Sequence, residues 1–332
     1  MIGCFPDPYP DEILYSVCAR YKERMMFSSQ AQVLKELFYV GISSLYLDQP
    51  AHLEYLVSEL PCNNYPVHRL VQENTLVPFF SAFLDKDFLR IRESNIHRNR
   101  IMHASKIIFD IPTPKYLRFC PMCNLKDKAE HGESYWHRLH QIAGVEVCPV
   151  HKMFLEESTI KIYENYAVGE LRTADKALNS FVEFISLDVP QAHRSMLLNI
   201  SKDAMWLINH GAPTHSKPEC LRERYFSLLR KNGYVENGNV KKALLWKKVL
   251  RSKYKLGDFY HFLFRGKDWH PIYTLEDKYK LLPQEEKFYN FFDYFISHPE
   301  NNHPIRHLTM IHLLGSKLKN FFEESIAIPN QL

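Results

Sequence analysis

The chain has 332 residues, 45% hydrophobic and 24% charged, which excludes disorder throughout and supplies enough apolar side chain for a sizeable core. Only 11 glycines against 14% aromatics disfavour a loop-rich repetitive β protein, so helix is the expected element, arranged in about two domains. The formal net charge of +4 would not announce a polyanionic partner, but it is unevenly spread: residues 1–160 hold 17 Lys and Arg against 19 Asp and Glu, while 217–268 hold 14 against 5.

The first residues lack a basic segment followed by an unbroken apolar run, and no uncharged apolar run is long enough to span a bilayer. A cytoplasmic protein with no membrane association is expected. Phe5-Pro-Asp-Pro-Tyr-Pro10 cannot be helix, because its prolines fix φ and push their predecessors to extended geometry. A helix follows, capped by Asp7 or Asp11, with Ile13, Leu14, Val17, Cys18 and Tyr21 on one face. Ser28 or Ser29 caps a second helix that turns Val33, Leu34, Leu37 and Phe38 inward, and short helices are expected around 51–60, 66–73 and 76–84. The first hundred residues read as wholly helical.

Between about 104 and 160 prolines interrupt, cysteine and histidine concentrate, and short β-prone stretches such as Val145-Glu-Val147 appear. Helical periodicity returns from about 175, and His210–Pro218, with two prolines and a glycine, is the expected linker. Beyond it helices are expected at 219–232, 238–254, 257–264, 284–297 and 303–323. The expected architecture is mainly α. A helical N-terminal domain (1–103) is followed by an inserted zinc-finger module (104–160), a helical connector and linker (161–216) and a basic, helix-turn-helix-like C-terminal domain (217–332).

The strongest local signal is Cys120-Pro-Met-Cys123 and, after 24 residues, Cys148-Pro-Val-His151. Two ligands spaced across a tight turn can bite one metal, and two such knuckles complete a tetrahedral Cys3His shell suited to one structural Zn2+. A closed shell has no open position for water or substrate. The alternative is three unconnected buried cysteines and a surface histidine. Cys4, Cys18, Cys62 and Cys220 show no pairing pattern and read as free thiols.

Between the knuckles, His137 and His140 raise the alternative of an HNH-type nuclease. No acidic residue adjoins a histidine as a general-base partner there, and no Glu sits between two histidines at metalloprotease spacing. Tyr135 and Trp136 are expected to pack the module's core, with Arg138 on its surface. The motifs of P-loops, dinucleotide-binding turns and nucleophile elbows are absent from the sequence. His303-Pro-Ile-Arg306-His307-Leu308 reads as packing or phosphate contact.

In the basic segment, Leu221, Tyr225, Phe226, Leu228 and Leu229 form an inward face with Arg222 and Arg224 outside. After the turn Gly233–Gly238, Val240, Leu244, Val249 and Leu250 are expected to be buried, while Lys241, Lys242, Lys247, Lys248, Arg251 and Lys253 fan outward as phosphate contacts. A solvated lysine-rich face is the other reading of the same pattern.

The string Phe5-Pro-Asp-Pro-Tyr-Pro-Asp-Glu12-Ile-Leu14-Tyr15-Ser16-Val-Cys-Ala19-Arg20 resembles the opening of the TniQ/TnsD family of transposon target-selection proteins. Gln72-Glu-Asn-Thr75-Leu-Val-Pro78 is similar to that family's segment ending in Thr-Leu-x-Pro. The stretch Phe119-Cys-Pro-Met-Cys123, Tyr135-Trp-His-Arg138, His140-Gln141 and Gly144-Val-Glu-Val-Cys148-Pro-Val-His151 is similar to its zinc-finger region. Gly233-Tyr234, Trp269 and His303–Leu308 resemble the TnsD-type extension.

The resemblance implies a non-enzymatic adaptor that binds double-stranded attachment-site DNA and recruits the AAA+ ATPase TnsC, which then admits the transposase complex. For some TniQ proteins it implies coupling to a CRISPR effector complex instead. The ATPase contact is expected on the N-terminal segment, at Pro8, Tyr9, Glu12, Tyr15 and Arg20; the same prolines also read as a plain helix start. At 332 residues the chain is shorter than TnsD-type proteins, so either a short member or a missing C-terminal DNA-reading portion is expected.

Overall fold

A computed structural model describes residues 2–39, 45–48, 52–61, 65–84, 111, 113–163, 166–178, 190–210, 218–252 and 285–323. Lys253, Cys62, Trp269, the expected helix at 257–264 and most of the expected linker (211–217) lie outside the described residues. The chain is mainly helical. Helix α1 (Leu14–Arg24) buries every residue from Leu14 to Tyr21, so it is enclosed on all sides rather than on one face. Neither Asp7 nor Asp11 caps it: Ile13 occupies the N-cap position without a side-chain hydrogen bond, and Asp11 instead takes a left-handed φ of 59°. Helix α2 (Gln30–Phe38) is capped by Ser29, whose Oγ accepts from the Gln32 amide, and it buries Val33, Leu34, Leu37 and Phe38 as its periodicity requires.

The helices α3 (Leu53–Glu59), α4 (Val67–Asn74) and α5 (Val77–Ser81) follow near their expected places. The N-terminal part is not wholly helical, since strand β1 (Leu45–Tyr46) pairs antiparallel with β6 (Ala167–Val168) and ties it to the far side of the cysteine-rich region. That region holds β2 (Tyr116–Phe119) paired with β5 (Glu156–Lys161), and β3 (Val147–Cys148) paired with β4 (Met153–Phe154). Helix α6 (Pro121–His131) starts on Pro121, whose missing N–H costs nothing in a first turn, and stops at Gly132 in the left-handed conformation.

After the short helix α7 (Ala174–Ala177), the twenty-residue α8 (Gln191–His210) forms the spine, packing on α4, α5 and β3. Helix α9 (Pro218–Lys231) is joined to α10 (Lys242–Arg251) by a β-hairpin, β7 (Val235–Glu236) with β8 (Asn239–Val240). Asn237 and Gly238 both take positive φ at its tip, as a two-residue hairpin turn demands. The connector is therefore a hairpin rather than the short turn of a helix-turn-helix, and both helices pack on α11 (Glu285–Ser297). Helix α10 is also rotated from its expected phase: Leu245, Trp246 and Val249 are buried while Leu244 is exposed.

Helix α12 (Pro304–Leu313) is buried at all ten positions and packs on α8; α13 (Leu318–Glu323) follows after Gly315. His303 caps α12 by accepting the Ile305 amide on Nδ1. His307 accepts the Tyr225 hydroxyl on Nδ1 at 2.8 Å, donates from Nε2 to the Pro299 carbonyl at 2.9 Å, and stacks on Phe83 at 3.9 Å. Burial holds this histidine down at about 3, so the ring is neutral. His303–Leu308 is thus packing, not a phosphate site. One hydrophobic cluster runs from Ile2 to Phe321.

Candidate metal centre

Both knuckles open where regular structure ends or begins. Cys120 is the N-cap residue of α6 and Cys123 sits in its first turn, while Cys148 closes β3 and His151 lies in the turn to β4. The four side chains converge, with one ligand atom from each within 4.8 Å of the others. A tetrahedral ion with Zn–S bonds near ~2.3 Å and Zn–N near ~2.0 Å sets sulfur–sulfur edges of about 3.8 Å and sulfur–nitrogen edges of about 3.5 Å. The observed edges are 3.8 Å from Cys123 to Cys148, and 3.4, 3.3 and 3.6 Å from His151 Nδ1 to Cys120, Cys123 and Cys148. The donor set and its spacing fit a metal ion. The three sulfurs are buried.

Hydrogen bonding to the Cys120 and Cys148 sulfurs, backed by burial, holds the Cys123 thiol far above its ordinary value. A metal ion must displace that proton, so binding is coupled to proton release.

The elements around the cluster are locked to the N-terminal segment. Residues Glu12 and His137 form an antiparallel bridge, with Ile13 N donating to Trp136 O and Arg138 N to Asp11 O. Arg138 is buried, not on the surface as its charge implied. Its Nε donates to Asp11 Oδ1 at 3.1 Å and its Nη1 to Gln72 O at 2.8 Å, while Asn74 Nδ2 donates to Glu12 O at 2.8 Å. Trp136 lies fully buried, donating from Nε1 to Arg172 O, and Tyr135 is buried beside it, as expected of core aromatics.

His137 is wedged between two carboxylates, Asp127 at 2.9 Å from Nε2 and Asp11 at 3.7 Å from Nδ1. Burial alone would lower its pKa, but hydrogen bonds to Asp11 and Asp127 outweigh it and raise the imidazole to about 9. Asp11 is lowered against its own burial by His137 and Arg138. His140, whose Nε2 lies 4.0 Å from Cys123 Sγ, is buried on the inner side of the sulfurs.

Three of the sequence stretches that resemble one family thus meet at a single place: Asp11 and Glu12, Gln72 and Asn74, and His137 and Arg138. Residues 4–155 match the TniQ family. They form a TniQ domain. The Escherichia coli protein described as "Transposon Tn7 transposition protein TnsD" is 28% identical over 156 residues, which cover 44% of this chain and 30% of that protein.

Within the TniQ domain, Glu12, Tyr15 and Arg20 are buried and internally engaged. Arg20 donates to Glu12 at 2.7 Å and to Glu133 at 2.9 Å and stacks over the Tyr9 ring at 3.8 Å, while Tyr15 OH donates to the Glu170 carbonyl. Pro8 and Tyr9 remain half-buried.

Beyond the TniQ domain, Arg222, Lys247 and Arg251 are exposed. Arg224 donates to the Phe321 carbonyl at 2.8 Å, Lys241 pairs with Glu236, Lys242 pairs with Asp293, and Lys248 lies over the Tyr234 ring. Periodicity separates inside from outside but does not report such pairing. Asp127 escaped the sequence argument, Asp11 entered it only as a helix cap and His140 only as a nuclease candidate, for a related reason: Asp11 and Asp127 flank His137 only once the chain folds back. Among the described residues, no helix is long and apolar enough to cross a membrane.

Proposed function

We propose that this chain is a non-enzymatic target-selection adaptor of a DNA transposition system. In this reading the Cys120, Cys123, Cys148 and His151 cluster holds one structural Zn2+ that fixes the TniQ domain. The basic C-terminal helices hold double-stranded DNA at an attachment site through Arg222, Lys241, Lys242, Lys247, Lys248 and Arg251. The TniQ domain recruits the AAA+ ATPase TnsC, which admits the transposase, and its half-buried N-terminal arm at Pro8 and Tyr9 is the contact, with Glu12 and Arg20 holding that arm in place.

The observation that carries the reading is the TniQ match over residues 4–155, in a chain whose similarity also reaches a transposition protein by name. The exposed Lys247 and Arg251 support a DNA role. The test is a mobility-shift series of the zinc-loaded chain on duplex DNA at several salt concentrations, beside a pull-down of TnsC. Binding should weaken with salt, and Lys247→Ala and Arg251→Ala should each flatten the slope by about one. A chain that shows neither salt-dependent DNA binding nor ATPase capture overturns the proposal. Capture by a CRISPR effector complex without direct DNA binding would support the CRISPR-coupled alternative, and metal-dependent DNA cleavage lost in His137→Ala would support the nuclease.

A further inference from the structure

Three thiolates and a neutral imidazole around a dipositive ion leave one negative charge in excess. A buried excess charge requires hydrogen-bond donors around it. One donor is the His151 amide, 3.5 Å from Cys148 Sγ. A second group faces the sulfurs from the protein side. His140 is 2% exposed, and its Nε2 lies 4.0 Å from Cys123 Sγ.

The other ring nitrogen of His140, Nδ1, is buried with no hydrogen-bond partner. A neutral imidazole carries one N–H and one lone pair. A lone pair on Nε2 would point at thiolate and leave the N–H stranded on Nδ1. The tautomer with the proton on Nε2 satisfies the sulfur and strands only the weaker need of the acceptor. The ring is also held. It sits in the 3-10 turn Leu139–Gln141, whose Leu139 amide donates to Asp11 Oδ2, and it packs at 4.8 Å against His137, itself clamped by Asp11 and Asp127.

We propose that His140 is a positioning residue of the metal centre, donating its Nε2–H to the Cys123 thiolate while remaining outside the coordination shell. The inference rests on the reading of the cluster as a zinc site, and it assigns a task to a histidine that the Cys3His shell does not use. His140 thereby joins the ion to the ring column His140, His137, Tyr135 and Tyr9, whose neighbouring centroids lie 4.8, 4.4 and 5.0 Å apart.

The experiment compares wild type, His140→Phe and His140→Gln. Phe keeps the ring and removes the donor, whereas Gln returns an N–H near the place of Nε2. Zinc affinity is read by competition with a chromophoric chelator, and cobalt replaces zinc for absorption spectra. His140→Phe should bind zinc about 10- to 100-fold more weakly. Its thiolate-to-cobalt charge-transfer band should move to lower energy while the tetrahedral d–d bands stay in place, and His140→Gln should recover much of both changes.

A wild type that takes up no stoichiometric zinc overturns the zinc reading and this assignment with it. Normal wild-type binding with equal affinity and unshifted bands in His140→Phe overturns the assignment alone. Loss of tetrahedral d–d intensity in His140→Phe would make His140 a ligand instead, and equal losses in both variants would reduce it to packing. Should His140→Phe fail to fold, NMR of the cadmium-loaded wild type decides: scalar coupling between the His140 Hε2 proton and cadmium across sulfur supports the bond, and its absence overturns it.

Discussion

The carboxylate of Glu12 is fully buried, accepts from Arg20 Nη1 and the Tyr9 amide on Oε2, and has no partner on Oε1. Burial outweighs the neighbouring guanidinium and raises its pKa from 4.5 to about 7. A carboxyl raised on folding contributes stability that is complete below its ordinary value and is lost as pH rises through about 7. Glu12→Gln should therefore remove a loss of up to about 3 kcal/mol between pH 5 and pH 8. Denaturant unfolding of zinc-saturated wild type and variant at the two pH values measures this. His137, raised to about 9, loses stability over a higher and overlapping range in both proteins, so the difference between them isolates Glu12. None of this was legible in the sequence. Glu12 was visible as part of a family string, but the partners that bury it, Arg20 eight residues on and Glu133 far along the chain, meet it only in three dimensions. Gly144 is a second case. It takes φ +84°, and a Cβ there would stand 2.5 Å from Ile305 Cγ1. Gly144→Ala should cost about 1–3 kcal/mol, and in an Ile305→Ala background the cost should fall to the backbone strain alone, as a double-mutant cycle by chemical denaturation would record.

Among the elements, the sequence was most informative where one chemical rule dominates. Paired knuckles predicted the Cys3His convergence, and Ser29 with its inward row at Val33, Leu34, Leu37 and Phe38 predicted α2. It was least informative where tertiary packing overrides local pattern. In α10 the aromatic Trp246 packs against Phe288 of α11, and that contact selects a rotation that exposes Leu244. The hairpin before α10 was signalled by Asn237-Gly238 but read as a plain turn. Pairing also divides the basic residues into two kinds. Arg224, whose guanidinium donates to the Phe321 carbonyl, belongs to the helix interface, so Arg224→Ala should lower thermal stability by about 1–3 kcal/mol while leaving the salt slope of DNA binding unchanged. Lys247→Ala should do the reverse, and parallel melting and mobility-shift series distinguish the two.

At the scale of the molecule, one apolar cluster joins Ile2 to Phe321, and α12 lies within it. The zinc-loaded chain should unfold in one cooperative transition by calorimetry rather than in separate steps. Leu308→Ala, at a fully buried position of α12, should cost 2–5 kcal/mol by the usual range for such truncations and should move the whole transition. Composition announced a helical protein with a basic C-terminal half, and hydrophobic periodicity announced most of its helices. That His307 near the C-terminus would stack on Phe83 and accept from Tyr225 was beyond any local pattern, because contacts of such sequence separation leave no periodic trace.

That burial of α12 also decides how the chain can be cut and grafted. The family's recognisable stretch stops at residue 155, yet Ile305 is lodged against Gly144 inside it and His303 packs edge-on against Phe79 and Phe80. A chimera built on the recognisable stretch alone would carry a raw, greasy flank into solvent and come out of expression as inclusion bodies. A donor fragment that runs through Leu313 would bring its own lid.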